Sequence, residues 1–143
     1  MTYINEMKIQ FLNKSVNEGL ARVAVASFCA QLDLTVETIA DIKTAVSEAV
    51  TNAIVHGYEN MCGFVTVCCA YTAMEIEITV SDYGRGIEDI EKARQPFYTT
   101  CSDGTRSGMG FTVMESFMDE ISIVSASEEG TRVVLTKKLG GKK

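Results

Sequence analysis

Glu48 and Asn52 stand four residues apart in the run 44–57, and His56 follows at the same spacing. On a helix that spacing stacks side chains along one face. A carboxylate one turn from an amide can serve as a proton acceptor beside a neutral oxygen ligand for a hard cation such as Mg²⁺. Taken alone, the pair is also what a solvated helix face looks like. Two further groups follow in the chain. Asp82-x-Gly84-x-Gly86 places an acceptor-only carboxylate before a glycine turn. Such a carboxylate needs a donor, for example the exocyclic amine of a nucleobase. Gly108-x-Gly110 opens an apolar-periodic stretch. Glycines let the backbone approach a polyanion, and a helix N-terminus favours phosphate through its unpaired N–H groups and its dipole.

These groups need elements to hold them. Ile42, Ala45, Val46, Ala49, Val50, Ala53 and Ile54 recur at helical spacing, so Glu48 and Asn52 ride on an amphipathic helix over about 36–56. Thr35 is its expected N-cap and Gly57 its expected C-cap. Residues 64–71 and 74–82 alternate as strands joined by a short polar link, which predicts an antiparallel pair. Asp82 keeps the parity of Ile76, Ile78 and Val80, so it is expected to point under the helices, where a carboxylate is costly without partners. A first strand over 4–12, with Met7, Ile9 and Phe11 inward, precedes a helix that runs from a capping box at Ser15–Glu18 to about Leu32. Its expected core stripe is Val16, Leu20, Val23, Ala24, Ser27 and Phe28. The opposite face, with Ala21, Val25, Ala26 and Cys29, is also apolar, and it suits either burial within the chain or contact with another chain. Residues 87–107, which include the single proline, show no long period and are long enough for a lid. A helix over about 110–119 and two strands over about 121–125 and 131–138 complete the chain, with a tail at 139–143.

With 143 residues, 46% of them hydrophobic, the expectation is one globular domain with a sizeable core. The net charge of −6 and the lack of a basic stripe argue against direct nucleic-acid binding. No apolar run approaches the roughly 20 residues of a membrane helix, and no signal-peptide pattern opens the chain, so the cytoplasm is the expected location. The five cysteines are odd in number and form no C-x-x-C pair, so they read as reduced, small hydrophobic side chains. There is no Walker A lysine and no H-R-D loop, which excludes P-loop enzymes and ordinary protein kinases.

The order Glu48-x-x-x-Asn52, Asp82-x-Gly84-x-Gly86, Gly108-x-Gly110 resembles the N box and the two glycine boxes of the ATP-binding superfamily that includes gyrase, the Hsp90 chaperones, histidine kinases and MutL-type repair proteins. The runs 47–58, 93–97 and 106–111 narrow the resemblance to its anti-sigma branch, and most closely to the anti-sigma-F factors of spore-forming bacteria, which are serine-protein kinases. The resemblance extends from the first strand to Leu139.

It implies an α+β fold, a two-layer sandwich with a mixed, mostly antiparallel sheet and helices on one face. It implies ATP and Mg²⁺ as cofactors, with Asn52 as the metal ligand and Glu48 as the base that takes the substrate serine's proton. Asp82 would accept from the adenine amine, with Thr131 beside it by strand parity. Gly84 and Gly86 would let the nucleotide approach, and Gly108, Met109 and Gly110 would offer N–H groups to the phosphates. Residues 87–107 would be the ATP lid, with Arg106 neutralising charge at the γ-phosphate and Arg94 a second candidate. Glu18 and Arg22 match the surface that meets the sigma factor and the anti-anti-sigma protein, and Val25 and Cys29 are candidates for a homodimer contact. His56 is expected to be a cap or surface residue. Two rival readings remain: a sigma-binding module that holds ATP without transferring phosphate, and a nucleotide-hydrolysing switch.

Overall fold

The computed structural model describes residues 3–57, 62–84, 110–126 and 130–139. The expected lid at 87–107, with Arg94 and Arg106, lies outside the described residues, as do Gly86, Gly108, Met109 and the side chain of His56. Five strands form one sheet: β1 (Asn5–Leu12), β2 (Phe64–Tyr71), β3 (Glu75–Asp82), β4 (Glu120–Ala126) and β5 (Gly130–Lys138). Their order is β1-β2-β3-β5-β4. Among the described residues all four pairings are antiparallel, where the sequence led to a mixed, mostly antiparallel sheet. Among the described residues three helices accompany it: α1 (Asn17–Cys29), α2 (Val36–Asn52) and α3 (Gly110–Phe117), with α2 packed between α1 and α3.

The register turns strand alternation into rows that run across the sheet. One inward row is Met7, Cys69, Ile78, Leu135 and Ile121, and the next is Ile9, Val67, Val80, Val133 and Ile123. Both are wholly apolar and form the floor of the core. The third row begins Phe11, Val65 and then changes character to Asp82, Thr131, Ser125. The same parity that builds the core therefore places three polar residues side by side at one end of it.

α2 lies over this floor because its apolar stripe is complete. Ile42, Ala45, Val46, Ala49 and Val50 are all buried. Thr35 caps it as expected, its Oγ1 accepting from Thr38 N–H at 3.0 Å. The α-helix ends earlier than the sequence suggests. After Asn52 the backbone widens into a π turn over Ala53–Gly57, so the four-residue spacing that stacks Glu48 over Asn52 does not continue to His56. Single π turns are frequent at functional sites.

α1 departs furthest from expectation. The capping box does not form: the N-cap is Val16, with no side-chain cap bond. Glu18, the acidic residue of the supposed box, directs its carboxylate to Arg22 and Ser47 instead. The helix ends at Cys29. Its buried face is Ala21, Val25, Phe28 and Cys29, while Val16, Leu20 and Val23, at 80%, 56% and 63% exposure, face outward. The expected core stripe is thus largely the outer face, with Phe28 alone fully buried. The physical reason is close approach. Small residues on α1 meet a helix whose own stripe includes Ala45 and Ala49, and this allows tighter packing than Leu20 would. Val25 and Cys29 are buried within the chain, which removes them as contacts for a second chain.

Candidate functional site

The polar end of the third row is built mainly by backbone. Asp82 closes β3 and is 6% exposed. Its Oδ1 accepts from Gly84 N–H at 3.0 Å, and its carboxylate also accepts from Thr131 N–H. Burial pushes the Asp82 carboxyl above the usual range, and the two N–H donors pull part of the way back. Among the described residues no buried side-chain polar atom lacks a partner. Thr131 stands directly across from Asp82 in the β3–β5 ladder. Its hydroxyl lies 2.8 Å from Ser125 Oγ, and Ser125 donates to the Gly130 carbonyl at 3.1 Å.

Gly130 is the residue this corner cannot replace. Its φ is +94°, where side chains are strained. A methyl there would overlap the Asp82 carbonyl oxygen and lie 2.7 Å from Tyr83 Cα. β5 can come this close to the Asp82–Gly84 turn only through a glycine.

Glu48 and Asn52 lie one turn apart on the last α turns of α2, both half-buried. The α2 helix and its π turn pack against β3, and the turn also touches β5, so the helix end rests on the two strands that carry Asp82 and Thr131. Gly110 starts α3, whose N-terminus follows the second glycine box. At the other end of α3, Lys137 Nζ donates to the Phe117 carbonyl at 2.7 Å and pairs with Asp41 of α2 at 3.9 Å. This cation caps the helix C-terminus and ties α3 to the helix bearing Glu48.

The chemistry of this arrangement fits an adenine nucleotide. A buried carboxylate, already held by two N–H donors, retains acceptor capacity for one further donor such as an amine. A half-buried carboxylate and amide stand on the adjoining helix. Among the described residues, no three His, Cys, Asp or Glu side chains gather as a metal cage.

Comparison with known proteins agrees. The profile of the histidine kinase-like ATPase domain matches residues 12–137. A protein of a Thermoanaerobacter species named "Anti-sigma F factor" is 56% identical over 143 residues, 100% of each chain. One of Clostridium acetobutylicum with the same name is 58% identical over 134 residues, 94% of each chain.

The chain belongs to the anti-sigma F factor family.

Within that family it carries a histidine-kinase-like ATPase domain, and ATP is the ligand such a domain implies. The fold has a solved counterpart in the RsbU and RsbW domains of a Mycobacterium tuberculosis protein. The TM-score is 0.67 at 22% identity, over 94% of this chain and 32% of that one. No helix among the described residues is long and apolar enough to cross a membrane.

The structure brings Asp82, Gly84 and Thr131 into one corner and sets Glu48 and Asn52 on the helix resting against the same strands. Glu18 and Arg22 lie elsewhere, on α1, joined to each other. Three residues of these arrangements escaped the sequence reading. Ser125 shares the parity of Ile121 and Ile123, and following that alternation two positions further would have found it. Gly130 reads only as the end of a turn, because the close approach that demands a glycine exists only once β3 and β5 pair. Ser47 reads only as part of a motif, because its partner is 29 residues away.

Proposed function

We propose that this chain binds and inhibits a sporulation sigma factor and, with Mg-ATP, phosphorylates a serine of an anti-anti-sigma protein in the cytoplasm. The observation that carries the reading is Asp82. A carboxylate buried to 6% exposure, fixed by two backbone N–H groups and aimed under the helices, is costly to fold and suits recognition of an amine. The relatives' name supports the sigma factor as partner.

In this reading Asp82 accepts from the adenine amino group, with Thr131 beside it. Gly84 and Gly86 admit the nucleotide, and the N–H groups of Gly108, Met109 and Gly110 meet its phosphates. Asn52 would hold Mg²⁺ through its side-chain oxygen, and the ion when bound neutralises phosphate charge. Glu48 takes the proton of the substrate serine. The serine oxygen forms a bond to the γ-phosphorus, the bond from that phosphorus to the bridging oxygen breaks, and ADP leaves. Arg106 offsets charge at the γ-phosphate, with 87–107 as the lid. Positioning and charge neutralisation supply most of the rate in phosphoryl transfer, which suits a site that offers a base beside a metal-binding amide. On α1, Arg22 and the outward residues Val16, Leu20 and Val23 form the surface for protein partners, including a second copy in a homodimer.

Single-turnover phosphorylation of the anti-anti-sigma protein with labelled ATP tests this. Wild type should label one serine. Glu48→Gln should retain ATP binding and lose about 10²–10⁴-fold in transfer, the usual worth of a general base. Transfer at the wild-type rate by that variant would remove Glu48 from the mechanism. ATP binding without any transfer by wild type would favour the rival reading, a sigma-binding module that holds the nucleotide.

A further inference from the structure

Arg22 is the cation expected to meet a partner, yet it does not stand alone. Its Nε donates to Glu18 Oε2 at 3.2 Å, and the same oxygen accepts from Ser47 Oγ at 2.6 Å. One carboxylate oxygen therefore joins the exposed face of α1 to the α2 residue immediately before Glu48. Exposure falls along this chain. The Arg22 side chain is 41% exposed, that of Glu18 is 24% exposed, and Ser47 is half-buried between the helices. Arg22 presents its guanidinium to solvent while Glu18 faces inward. A carboxylate so placed is poorly situated to meet a partner and well situated to orient the arginine.

We propose that Ser47 and Glu18 are positioning residues for Arg22: the Ser47 hydroxyl anchors Glu18, Glu18 fixes one edge of the guanidinium, and the fork is thereby preset for a carboxylate on a protein partner. This rests on the reading of α1 as the partner surface and changes the role of Glu18 within it. An arginine has five N–H donors in a planar fork. Glu18 engages Nε, and among the described residues no other partner of Arg22 is found within hydrogen-bonding distance. A guanidinium held along one edge loses less side-chain freedom on binding, and that loss is a main cost of association. Because Ser47 belongs to the turn that carries Glu48, the arginine is also indexed to the helix of the nucleotide site rather than to α1 alone.

The test is a double-mutant cycle read as affinity for the purified sigma factor, using the full chain with Mg-nucleotide. Ser47→Ala suits the purpose because alanine is the better helix former, so the fold is not at risk. It should weaken sigma binding about 3–10-fold, the size of one net hydrogen bond, and leave ATP affinity unchanged. Arg22→Ala should weaken binding more. In the Arg22→Ala background, Ser47→Ala should cost nothing further, because Ser47 acts only through the arginine. Ser47→Thr, which keeps the hydroxyl, should restore affinity toward wild type.

Additive losses in the cycle would overturn the proposal, since they would mean that Ser47 acts independently of Arg22. Unchanged affinity in Ser47→Ala beside a loss in Arg22→Ala would also overturn it, while leaving the partner surface in place. No sigma binding by folded wild type would overturn the proposed function itself and this inference with it.

Discussion

Two carboxylates in this chain each accept two hydrogen bonds, and they are held in opposite ways. Asp82 is gripped by backbone, by the N–H groups of Gly84 and Thr131, at the end of a paired strand. Glu18 is gripped by side chains, by Ser47 Oγ and Arg22 Nε, across the seam between two helices. The first arrangement is fixed by the sheet register and changes only if the strands move. The second can be adjusted one side chain at a time. A ligand common to every member of a nucleotide-binding fold suits the first kind of construction. Side chains that can be changed one at a time suit the partner surface proposed for α1. The contrast gives each carboxylate its own vulnerability: glycine and register for Asp82, hydroxyl and guanidinium for Glu18.

The contrast is sharpest at Gly130, where the backbone grip depends on having no side chain. Gly130→Ala places a methyl against the Asp82 carbonyl and imposes a φ of +94° on an L-residue. The left-handed conformation alone costs roughly 1–2 kcal/mol, and the overlap with backbone cannot be relieved by turning a side chain. The expected loss of stability exceeds about 3 kcal/mol, the upper end of ordinary single substitutions. Chemical denaturation would read it as a lower midpoint with an unchanged slope. A variant as stable as wild type would show that β5 can withdraw from the Asp82 turn, and the corner would then be less rigid than argued.

A smaller effect separates the ligand role of Asp82 from its structural cost. Asp82→Asn keeps the shape and removes the charge, so ATP affinity should fall roughly 10–100-fold, the worth of a hydrogen bond to a charged group. Its pH dependence has a definite sign. The folded-state pKa of Asp82 is raised, chiefly by burial. The cost of burying the charge is therefore absent at acid pH, appears as pH rises from the unfolded-state pKa through the folded one, and is complete above that. Relative to Asp82→Asn, wild type should lose stability across that window as pH rises. ATP affinity of wild type should decline on acidification at a higher pH than an ordinary aspartate would give. A stability difference that is flat with pH would contradict the burial argument, and unchanged ATP affinity would remove Asp82 from nucleotide recognition.

How much of this could be read in the sequence follows the same division. Strand parity put Asp82 under the helices and Thr131 on the same face, because a period of two leaves no third choice of face, and the β3–β5 register then set them side by side. The helical stripe of α2 was legible because its apolar side is complete and its other side carries Glu48, Asn52 and Lys43. What failed was α1, whose two faces are both apolar. The helical spacing of Val16, Leu20 and Val23 suggested that face as core, but contact with α2 selected the face of Ala21, Val25 and Cys29. Periodicity cannot choose between two apolar faces; the neighbouring helix does. The capping box failed for a related reason. Glu18 had a local use and a distant one, and the distant one, with Ser47, prevailed. Contacts across long sequence separations, such as Gly130 against the Asp82 turn, leave no local pattern to read.

The smallest expected effect tests that inversion of α1. Leu20 is 56% exposed and Val25 is fully buried, although the sequence pattern places Leu20 in the core and leaves the Val25 face open between burial and contact with another chain. Leu20→Ser should change stability by no more than about 0.5 kcal/mol, as surface substitutions usually do. Val25→Ala removes two methyl groups from the seam between α1 and α2 and should cost about 2 kcal/mol in transfer and cavity terms. Thermal unfolding of the two variants side by side gives the answer without any partner present. If Leu20→Ser proved the more damaging, α1 would have to be turned about its axis in solution, and Glu18 would then no longer reach Ser47. If the expected order holds, the outer stripe of Val16, Leu20 and Val23 is retained at no benefit to the isolated fold. In the proposed function this outer stripe, running beside Arg22, is where another protein docks, and the two variants test whether the isolated fold leaves it free for that use.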